Sequence, residues 1–314
     1  MKRNLFELGF VHLDDLIFHE TCDFNRVCRL AGQIRKDGHL KNPVLVTGFS
    51  NGSVRPEKNK PGDLSSDEKG KLLVLDGVNR ISALKLLGFP DVLVQKTDYS
   101  DENVELTSWD HLIFNIKKDE LIEKLKRLDL EMYPCGLELQ STNGGLVLRE
   151  VEGRRTCPER SRRTVDEKMI CCLLFRDHSG VVLHQRDSSI ESRVKNLYRI
   201  IAAYRTSWEI YHSGSNESLL SAFDSFEKSS AINMLPIFKK ERVCDLASRG
   251  VLFPFGVTRF VIPQRVLGLE VSCSVLGDSA PLSEKNLFLK ELLSYRVKSK
   301  KAKFYQESVF LFNE

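Results

Sequence analysis

A short segment near residue 76 combines an acidic side chain, a glycine and an arginine in a spacing that suits phosphate chemistry. Asp76 and Gly77 follow the apolar run 72–75, and Arg80 comes four residues after Asp76. Gly77 permits a tight turn or a close approach of the backbone to a ligand. A helix beginning here would present free backbone amides to a phosphate, while Asp76 could bind Mg²⁺ and Arg80 could bind phosphate oxygens. The alternative is an ordinary strand-to-helix connection, with Asp76 as the helix cap and Arg80 as a surface cation.

Two further polar pairs stand out. His19 and Glu20 lie between a strand-like segment and an amphipathic helix. Glu20 could accept the proton of a hydroxyl nucleophile, or could serve only as a negative charge at the helix N-terminus. Thr258 and Arg259 are flanked on both sides by prolines and aromatic residues, which indicates a rigid, partly buried segment. A buried arginine needs an anionic partner, either an internal carboxylate or a ligand.

The elements that must position these residues alternate between strands and helices in the first hundred residues. The predicted elements are a strand-like segment over 11–17, a helix over 25–36 that ends at Gly38, strands at 43–46, 72–75 and 92–94, and a helix over 81–87. Residues 47–70 contain almost no apolar side chains, which predicts an insertion between two strands.

The rest of the chain continues the mixture of helices and strands, which predicts an α/β (α+β) fold. The predicted elements are a helix over 107–130, strands at 169–175 and 181–184, and helices over 194–211, 217–229, 242–248 and 284–295. The arginine-rich stretch 154–163 predicts a charged surface loop that could alternatively contact nucleic acid.

Composition limits the class of protein. The 314 residues are 41% hydrophobic and 29% charged, which excludes wholesale disorder, and they are enough for two domains. No apolar run approaches the roughly 20 residues of a membrane span, and the N-terminus lacks a secretory pattern, so we expect a cytoplasmic protein with no membrane partner. The net charge of +4 is modest for a dedicated nucleic-acid binder.

Cysteine usage agrees with a reducing compartment. The eight cysteines are scattered, and none is spaced as Cys-x-x-Cys. We therefore expect free and mostly buried thiols, with a zinc site built from scattered cysteines and histidines as the alternative.

Residues 30–46 and 74–88 together resemble the ParB/sulfiredoxin-like superfamily over roughly residues 8–106. Chromosome-partitioning ParB proteins carry a Gly-Glu-Arg-Arg type of box, which this chain lacks. Sulfiredoxins carry a catalytic cysteine where this sequence has Val78, so sulfur redox chemistry by that route is excluded.

A third branch of that superfamily, the free L-serine kinases of archaea and their bacterial siderophore-cluster relatives, is more similar. That branch typically reads Asp-Gly-His-His-Arg at the phosphate turn, matched here by residues 76–80, with an upstream His-Glu pair at 19–20. A Val-Asp-Tyr sequence after the last strand is matched by residues 97–99, and a Thr-Arg pair after Phe-Pro is matched by 258–259. The similarity therefore extends to both ends of the chain.

This resemblance implies a phosphotransferase that moves a nucleotide phosphoryl group to the hydroxyl of free L-serine or a similar small substrate. It implies an N-terminal ParB/sulfiredoxin-like lobe and a second α+β lobe that together form a cleft. The corresponding division is a nucleotide-binding domain at 1–106, a helical connector at 107–152, a charged surface insertion at 153–168 and a C-terminal substrate lobe at 169–314.

The resemblance also implies roles for individual residues. Glu20 would be the catalytic base, and Asp76 would lie beside the phosphates and bind Mg²⁺. The remaining residues would bind phosphate (Gly77, Val78, Asn79 and Arg80) or line the serine side of the cleft (His19, Trp109, Thr258 and Arg259). The phosphoryl donor is ATP or ADP, and the resemblance does not choose between them.

Three departures from the family pattern leave other functions open. Val78 and Asn79 replace the two histidines of the phosphate turn, and Phe260 replaces a histidine that follows the Thr-Arg pair. A family member without kinase activity would only bind a nucleotide. A ParB-like DNA-binding regulator is the other alternative, since the stretches 154–163 and 296–303 are basic. The sequence leaves the oligomeric state open.

Overall fold

We describe the protein from a computed structural model over residues 7–50, 53–54, 70–136, 138–142, 145–149, 155–156, 167–205, 211–213, 223, 225 and 228–305. Among the helices in these ranges, none has both the length and the apolar character needed to cross a membrane.

The N-terminal part of the chain forms a mixed sheet with two helices packed on it. Its elements are strands β1 (Glu7–His12) and β2 (Leu16–Ile17), helix α1 (Phe24–Asp37), strands β3 (His39–Leu40), β4 (Val44–Ser50), β5 (Ser53–Val54) and β6 (Lys71–Asp76), helix α2 (Val78–Leu86) and strand β7 (Asp91–Lys96). The sheet has the order β1-β7-β4-β6-β2, and β5 pairs with β4. β4 is parallel to β7 and antiparallel to β6, while β2 is parallel to β6.

Alternate residues of the central strands pack into different cores. Val74 of β6 lies with α1 and α2, whereas its neighbours Leu73 and Leu75 pack against the second half of the chain. Because both faces of the strand are buried, its sequence is continuously apolar instead of alternating. The strand predicted at 72–75 is thereby confirmed.

The predicted helices of this part are also confirmed, with one shift. Asp23 caps α1 by accepting a hydrogen bond from the Arg26 amide at 2.9 Å, and α1 ends at Gly38, whose φ of +73° is left-handed. α2 begins at Val78, three residues before the predicted start, because Gly77 already turns the chain directly after β6. Most of the predicted insertion at 47–70 lies outside the described residues.

The second half builds a larger sheet. Its elements are strands β8 (Glu105–Ser108) and β9 (Asp110–Phe114), helix α3 (Lys118–Lys126), strands β10 (Glu131–Gly136), β11 (Glu138–Thr142), β12 (Gly145–Arg149), β13 (Arg155–Thr156), β14 (Met169–Phe175) and β15 (Ser179–His184), helix α4 (Ile190–Tyr204), strands β16 (Tyr211–Ser213) and β17 (Ser229–Met234), helix α5 (Lys240–Ser248), strands β18 (Thr258–Val261) and β19 (Val271–Ser272), and helices α6 (Cys273–Gly277) and α7 (Leu282–Lys298). The sheet order is β13-β10-β15-β14-β17-β9-β16, while β8 pairs with β18, β11 with β12 and β3 with β19.

The helix predicted over 107–130 is wrong in its first half. That stretch forms part of β8 and then β9, which lies between β16 and β17 in the large sheet, and only α3 is helical. All five residues of β9 are buried, so the strand shows no alternation that would distinguish it from a buried helix. The connector at 107–152 is therefore not helical throughout, although its boundaries stay a prediction.

The other predicted elements of this half are largely confirmed. The strands at 169–175 and 181–184 correspond to β14 and β15, and the helices at 242–248 and 284–295 lie within α5 and α7. The helix predicted over 194–211 ends at Tyr204, and Tyr211 is already in β16. The prediction for 217–229 and the charged stretch 154–163 lie mostly outside the described residues.

The C-terminal helices return to the first sheet. Leu276 of α6 and Leu289 of α7 are buried in the N-terminal core, and Lys285 forms a buried ion pair with Asp91 of β7 at 2.6 Å. The Asn286 side chain accepts a hydrogen bond from the Phe10 amide of β1. This part of the predicted substrate lobe at 169–314 therefore packs on the N-terminal lobe, and the division into domains stays a prediction.

The expectation of free and mostly buried thiols is partly wrong. Cys135, Cys171 and Cys244 are free and buried, whereas the free thiols of Cys22 and Cys28 are exposed. In addition, Cys273 is free and half-buried, and Cys172 is disulfide-bonded. Within the described ranges, no three histidine, cysteine or acidic side chains are grouped as a metal site.

Candidate functional site

Glu20, His19 and Thr258 form one buried hydrogen-bonded cluster. The Thr258 amide donates to Glu20 Oε1 at 2.6 Å, and the Thr258 hydroxyl donates to the same oxygen. His19 Nε2 lies 2.7 Å from Thr258 Oγ1, and His19 Nδ1 lies 2.6 Å from the Val74 carbonyl oxygen. Glu20 is 8% exposed and His19 is 1% exposed. The structure thus joins the predicted pair His19–Glu20 to Thr258 in a single cluster.

The backbone brings the two ends of the chain together at this cluster. The Phe253 amide donates to the His19 carbonyl at 2.7 Å, and the Thr21 amide donates to the Phe253 carbonyl at 2.9 Å. The chain then turns through Gly256, whose φ is +76°, so that the amides from Gly256 to Thr258 approach the Glu20 carboxylate. The N-terminal cap of α1 is Asp23, so the alternative of Glu20 as a charge at that helix N-terminus is wrong.

Burial shifts the proton affinities of both acid–base groups in the cluster. It raises the pKa of Glu20 to about 7, an effect that the hydrogen bonds from Thr258 offset only in part. It lowers the pKa of His19 to about 4, so the imidazole is neutral near pH 7. A carboxyl group whose pKa lies near neutrality is suited to general base catalysis.

The turn after β6 leads directly into a helix that no side chain caps. Gly77 is the N-cap of α2 with a φ of +109°, and no side chain caps the first amides of this helix. A Cβ at Gly77 would lie 3.1 Å from Arg80 Nη2 and from Val44 Cγ2. The turn therefore requires glycine, and the first amides of α2, which no side chain caps, suit an anion.

Asp76 lies between two arginines at this turn. Arg80 Nη2 and Arg265 Nη1 contact the same oxygen, Asp76 Oδ2, at 3.1 and 2.5 Å. Although burial alone raises the pKa of Asp76, the positive charges of Arg80 and Arg265 bring it below its ordinary value. Asp76 does not cap α2, and Arg80 also donates to the Asn42 and Pro43 carbonyls. The alternative is therefore wrong in two details, since Asp76 is not the helix cap and Arg80 is not a surface cation, while the binding role of the turn stays a prediction.

Sequence reasoning missed Arg265 and the side chain that positions it. Gln95 of β7 is buried; it donates to the Gln264 carbonyl at 2.8 Å and accepts from the Val266 amide at 2.9 Å. These two bonds hold the backbone on both sides of Arg265 against the sheet. The available signal was a glutamine directly after the apolar run 92–94, because a buried polar side chain needs partners.

The side chains of Val78 and Asn79 point away from the turn. Val78 packs in the N-terminal core, and the Asn79 side-chain oxygen accepts a hydrogen bond from the Asp23 amide at 2.8 Å. Only the backbone amides of these two residues are therefore available to a phosphate. Contacts of the Val78 and Asn79 backbone amides with phosphate stay a prediction.

The acid–base cluster and the phosphate turn are adjacent. His19 binds the carbonyl of Val74, two residues before Asp76, and the charge of Asp76 contributes to the pKa of His19. The bond between Asp23 and Asn79 ties the segment after Glu20 to the start of α2.

Arg259, the other member of the predicted Thr258–Arg259 pair, forms a separate stack with Trp109. The Arg259 guanidinium lies 4.7 Å from the centre of the Trp109 ring, and the Trp109 amide donates to the Val257 carbonyl at 3.1 Å. Successive side chains of β18 point to opposite faces, so Arg259 lies on the other face from Thr258. Phe260 shares the face of Thr258, and its ring packs edge-on against His19 at 5.5 Å between centres.

The arrangement fits a magnesium ion only together with a phosphate ligand. Asp76 is ionised and its side chain is 41% exposed, while Oδ1 accepts no hydrogen bond within the described part of the chain. Mg²⁺ is commonly held by one or two carboxylates plus substrate phosphates and water, which one aspartate beside a phosphate turn satisfies.

One arginine of the basic stretch 296–303 is engaged within the protein, and the DNA-binding alternative stays a prediction. Arg296 directs its guanidinium to the carbonyls of Gly268 and Glu270 within the protein.

Comparison with known proteins adds relatives of two kinds. No protein-family model matches the chain. The chain is 32% identical to an ATP-dependent L-serine kinase of Staphylothermus marinus over 126 residues. This aligned segment covers 40% of this chain and 42% of that protein. Over 109 residues it is 28% identical to the ATP-dependent L-serine kinase SbnI of Staphylococcus aureus, 34% of each. The matched segments thus span less than half the length of these relatives.

Solved structures extend the likeness to most of the chain. Staphylococcus aureus SbnI with a C-terminal truncation superimposes with a TM-score of 0.60 and 18% identity, over 92% of this chain and 97% of that one. A free serine kinase variant in complex with ADP superimposes with a TM-score of 0.58 and 15% identity, over 85% and 91%. The resemblance to serine kinases is confirmed, while the wider ParB/sulfiredoxin superfamily stays a prediction. The chain has the mixed α/β fold of the free serine kinases and is similar in sequence to ATP-dependent L-serine kinases.

Proposed function

We propose that this protein transfers the terminal phosphoryl group of ATP to the hydroxyl of free L-serine, giving O-phospho-L-serine and ADP. The proposal rests on one observation above all: a buried carboxyl group with a pKa near 7, Glu20, lies in a cluster that adjoins a helix N-terminus flanked by Asp76, Arg80 and Arg265. The names of the similar proteins support ATP as donor and serine as acceptor.

Glu20 is the base in this proposal. As the serine oxygen forms a bond to the terminal phosphorus, its O–H bond breaks and the proton passes to the Glu20 carboxylate. The bond between that phosphorus and the bridging oxygen of ATP breaks, and ADP leaves with the electron pair. Phosphoryl transfer depends mainly on positioning and charge stabilisation, so one well-placed base and a cationic turn are sufficient machinery.

The turn from Gly77 to Arg80 binds the phosphates. The first amides of α2 donate to phosphate oxygens, and Arg80 and Arg265 supply positive charge at the same place. Mg²⁺, when bound with the nucleotide, neutralises charge on the phosphates. Asp76 is the residue that would hold the ion. In the structure, Arg80 and Arg265 balance the negative charge of Asp76.

The serine side of the site divides into two parts. His19 and Thr258 are engaged with Glu20, so their part is to hold the base in place. Arg259 lies on the opposite face of β18 from Thr258, stacked on Trp109, and its contact with the carboxylate of the amino acid stays a prediction. Replacement of the family histidine by Phe260 leaves the base cluster intact, because Phe260 packs against the His19 ring.

The test is a product assay on the purified protein. It is incubated with Mg²⁺, either ATP or ADP, and one of L-serine, L-threonine, D-serine or O-methyl-L-serine, and products are identified by mass spectrometry. We expect O-phospho-L-serine with ATP, and no product from O-methyl-L-serine, which lacks the accepting hydroxyl. Nucleotide binding without any phosphorylated product would contradict the proposal and favour a non-catalytic nucleotide-binding protein.

A further inference from the structure

The cluster around Glu20 contains fewer hydrogens than its hydrogen bonds require. Two side-chain atoms contact the Thr258 hydroxyl: Glu20 Oε1 is in hydrogen-bond contact with Thr258 Oγ1, and His19 Nε2 lies 2.7 Å from the same oxygen. All three residues are buried, so the hydrogen-bond donors must come from the cluster itself.

The tautomer of His19 follows from its other nitrogen. His19 Nδ1 lies 2.6 Å from the Val74 carbonyl oxygen, which can only accept. Nδ1 therefore carries a hydrogen, and in the neutral imidazole Nε2 is left as an acceptor.

The Thr258 hydroxyl has one hydrogen and faces two acceptors when Glu20 is ionised. If that hydrogen goes to Glu20, Nε2 of His19 lacks a donor; if it goes to His19, Glu20 Oε1 loses its side-chain donor. Adding one proton to Glu20 resolves the conflict. The protonated carboxyl donates to Thr258 Oγ1, and the Thr258 hydroxyl donates to His19 Nε2.

We propose that Glu20, Thr258 and His19 act as one proton-holding unit, in which the Thr258 hydroxyl turns from Glu20 to His19 when Glu20 takes up a proton. This inference rests on the proposed function for the source of the proton, which is the serine hydroxyl. The proton remains on the Glu20 carboxyl, no bond to hydrogen breaks at Thr258 or His19, and the proton leaves to solvent after the product. His19 is a positioning residue in this unit, because it acts on the substrate only through Thr258 and Glu20.

The surroundings of the unit are consistent with this role. The charge of Asp76 faces His19, and the Tyr198 hydroxyl of α4, whose pKa Glu20 helps to raise, donates to the Leu252 carbonyl. The amides of residues 256–258 favour the ionised form of Glu20, whereas burial favours the protonated form. Phe260 packs edge-on against His19 and fixes the plane of its ring.

The unit makes a directional prediction for one substitution. His19→Asn keeps an N–H donor near the position of Nδ1 and removes the acceptor at Nε2. Without that competitor, the Thr258 hydroxyl donates permanently to ionised Glu20. Protonation of Glu20 should then move to lower pH by about one unit, the size expected for one hydrogen bond to a charged group. Thr258→Ser keeps the hydroxyl and serves as the matched control.

The experiment is a pH titration of the free protein followed by infrared difference spectroscopy of its protonated carboxyl groups. The band absent from Glu20→Gln belongs to Glu20. We expect its midpoint near pH 7 in the wild-type protein and in Thr258→Ser, and about one unit lower in His19→Asn. An unchanged or raised midpoint in His19→Asn would overturn the proposal.

A second measurement covers the case in which His19→Asn does not fold. Nitrogen-15 NMR of the wild-type protein at pH 8 should show His19 with a protonated Nδ1 and an unprotonated Nε2, and a protonated Nε2 would overturn the proposal. Neither measurement requires turnover. Absence of phosphoserine in the product assay would therefore contradict the proposed function without altering these results.

Discussion

Thr258 donates both its backbone amide and its hydroxyl to one carboxylate oxygen of Glu20, although the two residues are 238 positions apart in the sequence. The candidate base is therefore completed only when the segment from Phe253 to Thr258 packs against the chain beside His19. A change that loosens this contact should shift the pKa of Glu20 more than it changes the geometry of the turn at residues 76–80.

The rate of serine phosphorylation should depend on the ionisation of Glu20. Because burial raises the pKa of Glu20 to about 7, the base is protonated and inactive below that pH. We expect kcat/KM to fall about tenfold per pH unit below roughly pH 7, as for a single ionisation. Asp76 and His19 do not produce this limb, since their pKa values are lowered. A limb centred near pH 4.5, measured in the same assay, would contradict this assignment.

The free energy of unfolding should also depend on the ionisation of Glu20, and the direction of its pH dependence follows from the raised pKa. The pKa of Glu20 is about 7 in the folded state and 4.5 in its ordinary state, so the folded protein holds this proton more tightly. Its contribution to stability is complete below about pH 4.5 and is lost as the pH rises through 7. Glu20→Gln removes this dependence.

Chemical denaturation of both proteins at pH 4.5 and pH 8 measures this effect. Relative to the wild-type protein, the free energy of unfolding of Glu20→Gln should improve by about 3 kcal/mol between the two pH values. His19, whose pKa is lowered, contributes a dependence of the opposite sign in both proteins. A pH-independent difference would show that Glu20 titrates normally.

Two glycines provide a matched test of the phosphate turn. Gly77 and Gly88 both have positive φ, +109° and +77°, but only at Gly77 would a Cβ crowd Arg80 and Val44. Alanine at either position should lower stability by about 1–2 kcal/mol, since both strain the backbone. Only Gly77→Ala should also weaken ATP binding, measured by calorimetry. Equal ATP affinity in the two variants would place the phosphates elsewhere.

Arg265 should contribute directly to nucleotide affinity. It contacts Asp76 from a segment almost 190 residues further along the chain, held there by Gln95. Arg265→Ala should weaken ATP binding by about 10- to 100-fold, the effect of losing one charge-assisted hydrogen bond. Arg249→Ala is the control, since Arg249 is an exposed arginine that pairs with Glu191 and Asp245. A similar loss in both variants would indicate a general effect of charge.

The phosphate turn was predictable because its parts are local. An apolar strand, a glycine and an arginine four residues after an aspartate are adjacent in sequence, and the structure places them as β6, the N-cap of α2 and a guanidinium on Asp76. Arg265 was not predictable in this way, because its position depends on hydrogen bonds from Gln95 that no local pattern reveals.

The role of Glu20 and the strand β9 show two limits of local reasoning. The environment of Glu20 is set by Thr258, from the far end of the chain, whereas the local sequence favoured a helix-terminal charge. In β9 the burial of both faces removes the alternation of a strand, and apolar residues at 109, 112, 113 and 116 imitate a helical period. His111 in this strand is buried, and its ring nitrogens form hydrogen bonds with the Tyr204 hydroxyl and the Gly256 carbonyl. Only the tertiary structure brings these partners to His111.

The central claim is that Glu20 removes the proton of the serine hydroxyl during transfer from ATP. The most direct measurement compares wild-type protein, Glu20→Gln and Glu123→Gln by following O-phospho-L-serine formation with phosphorus NMR at pH 8. Glu123 is an exposed glutamate of α3 and controls for the loss of one charge. We predict that Glu20→Gln lowers kcat by about 10²- to 10⁴-fold with little change in the KM for ATP, and that Glu123→Gln behaves as wild type. Phosphoserine formation by Glu20→Gln at the wild-type rate would contradict the account.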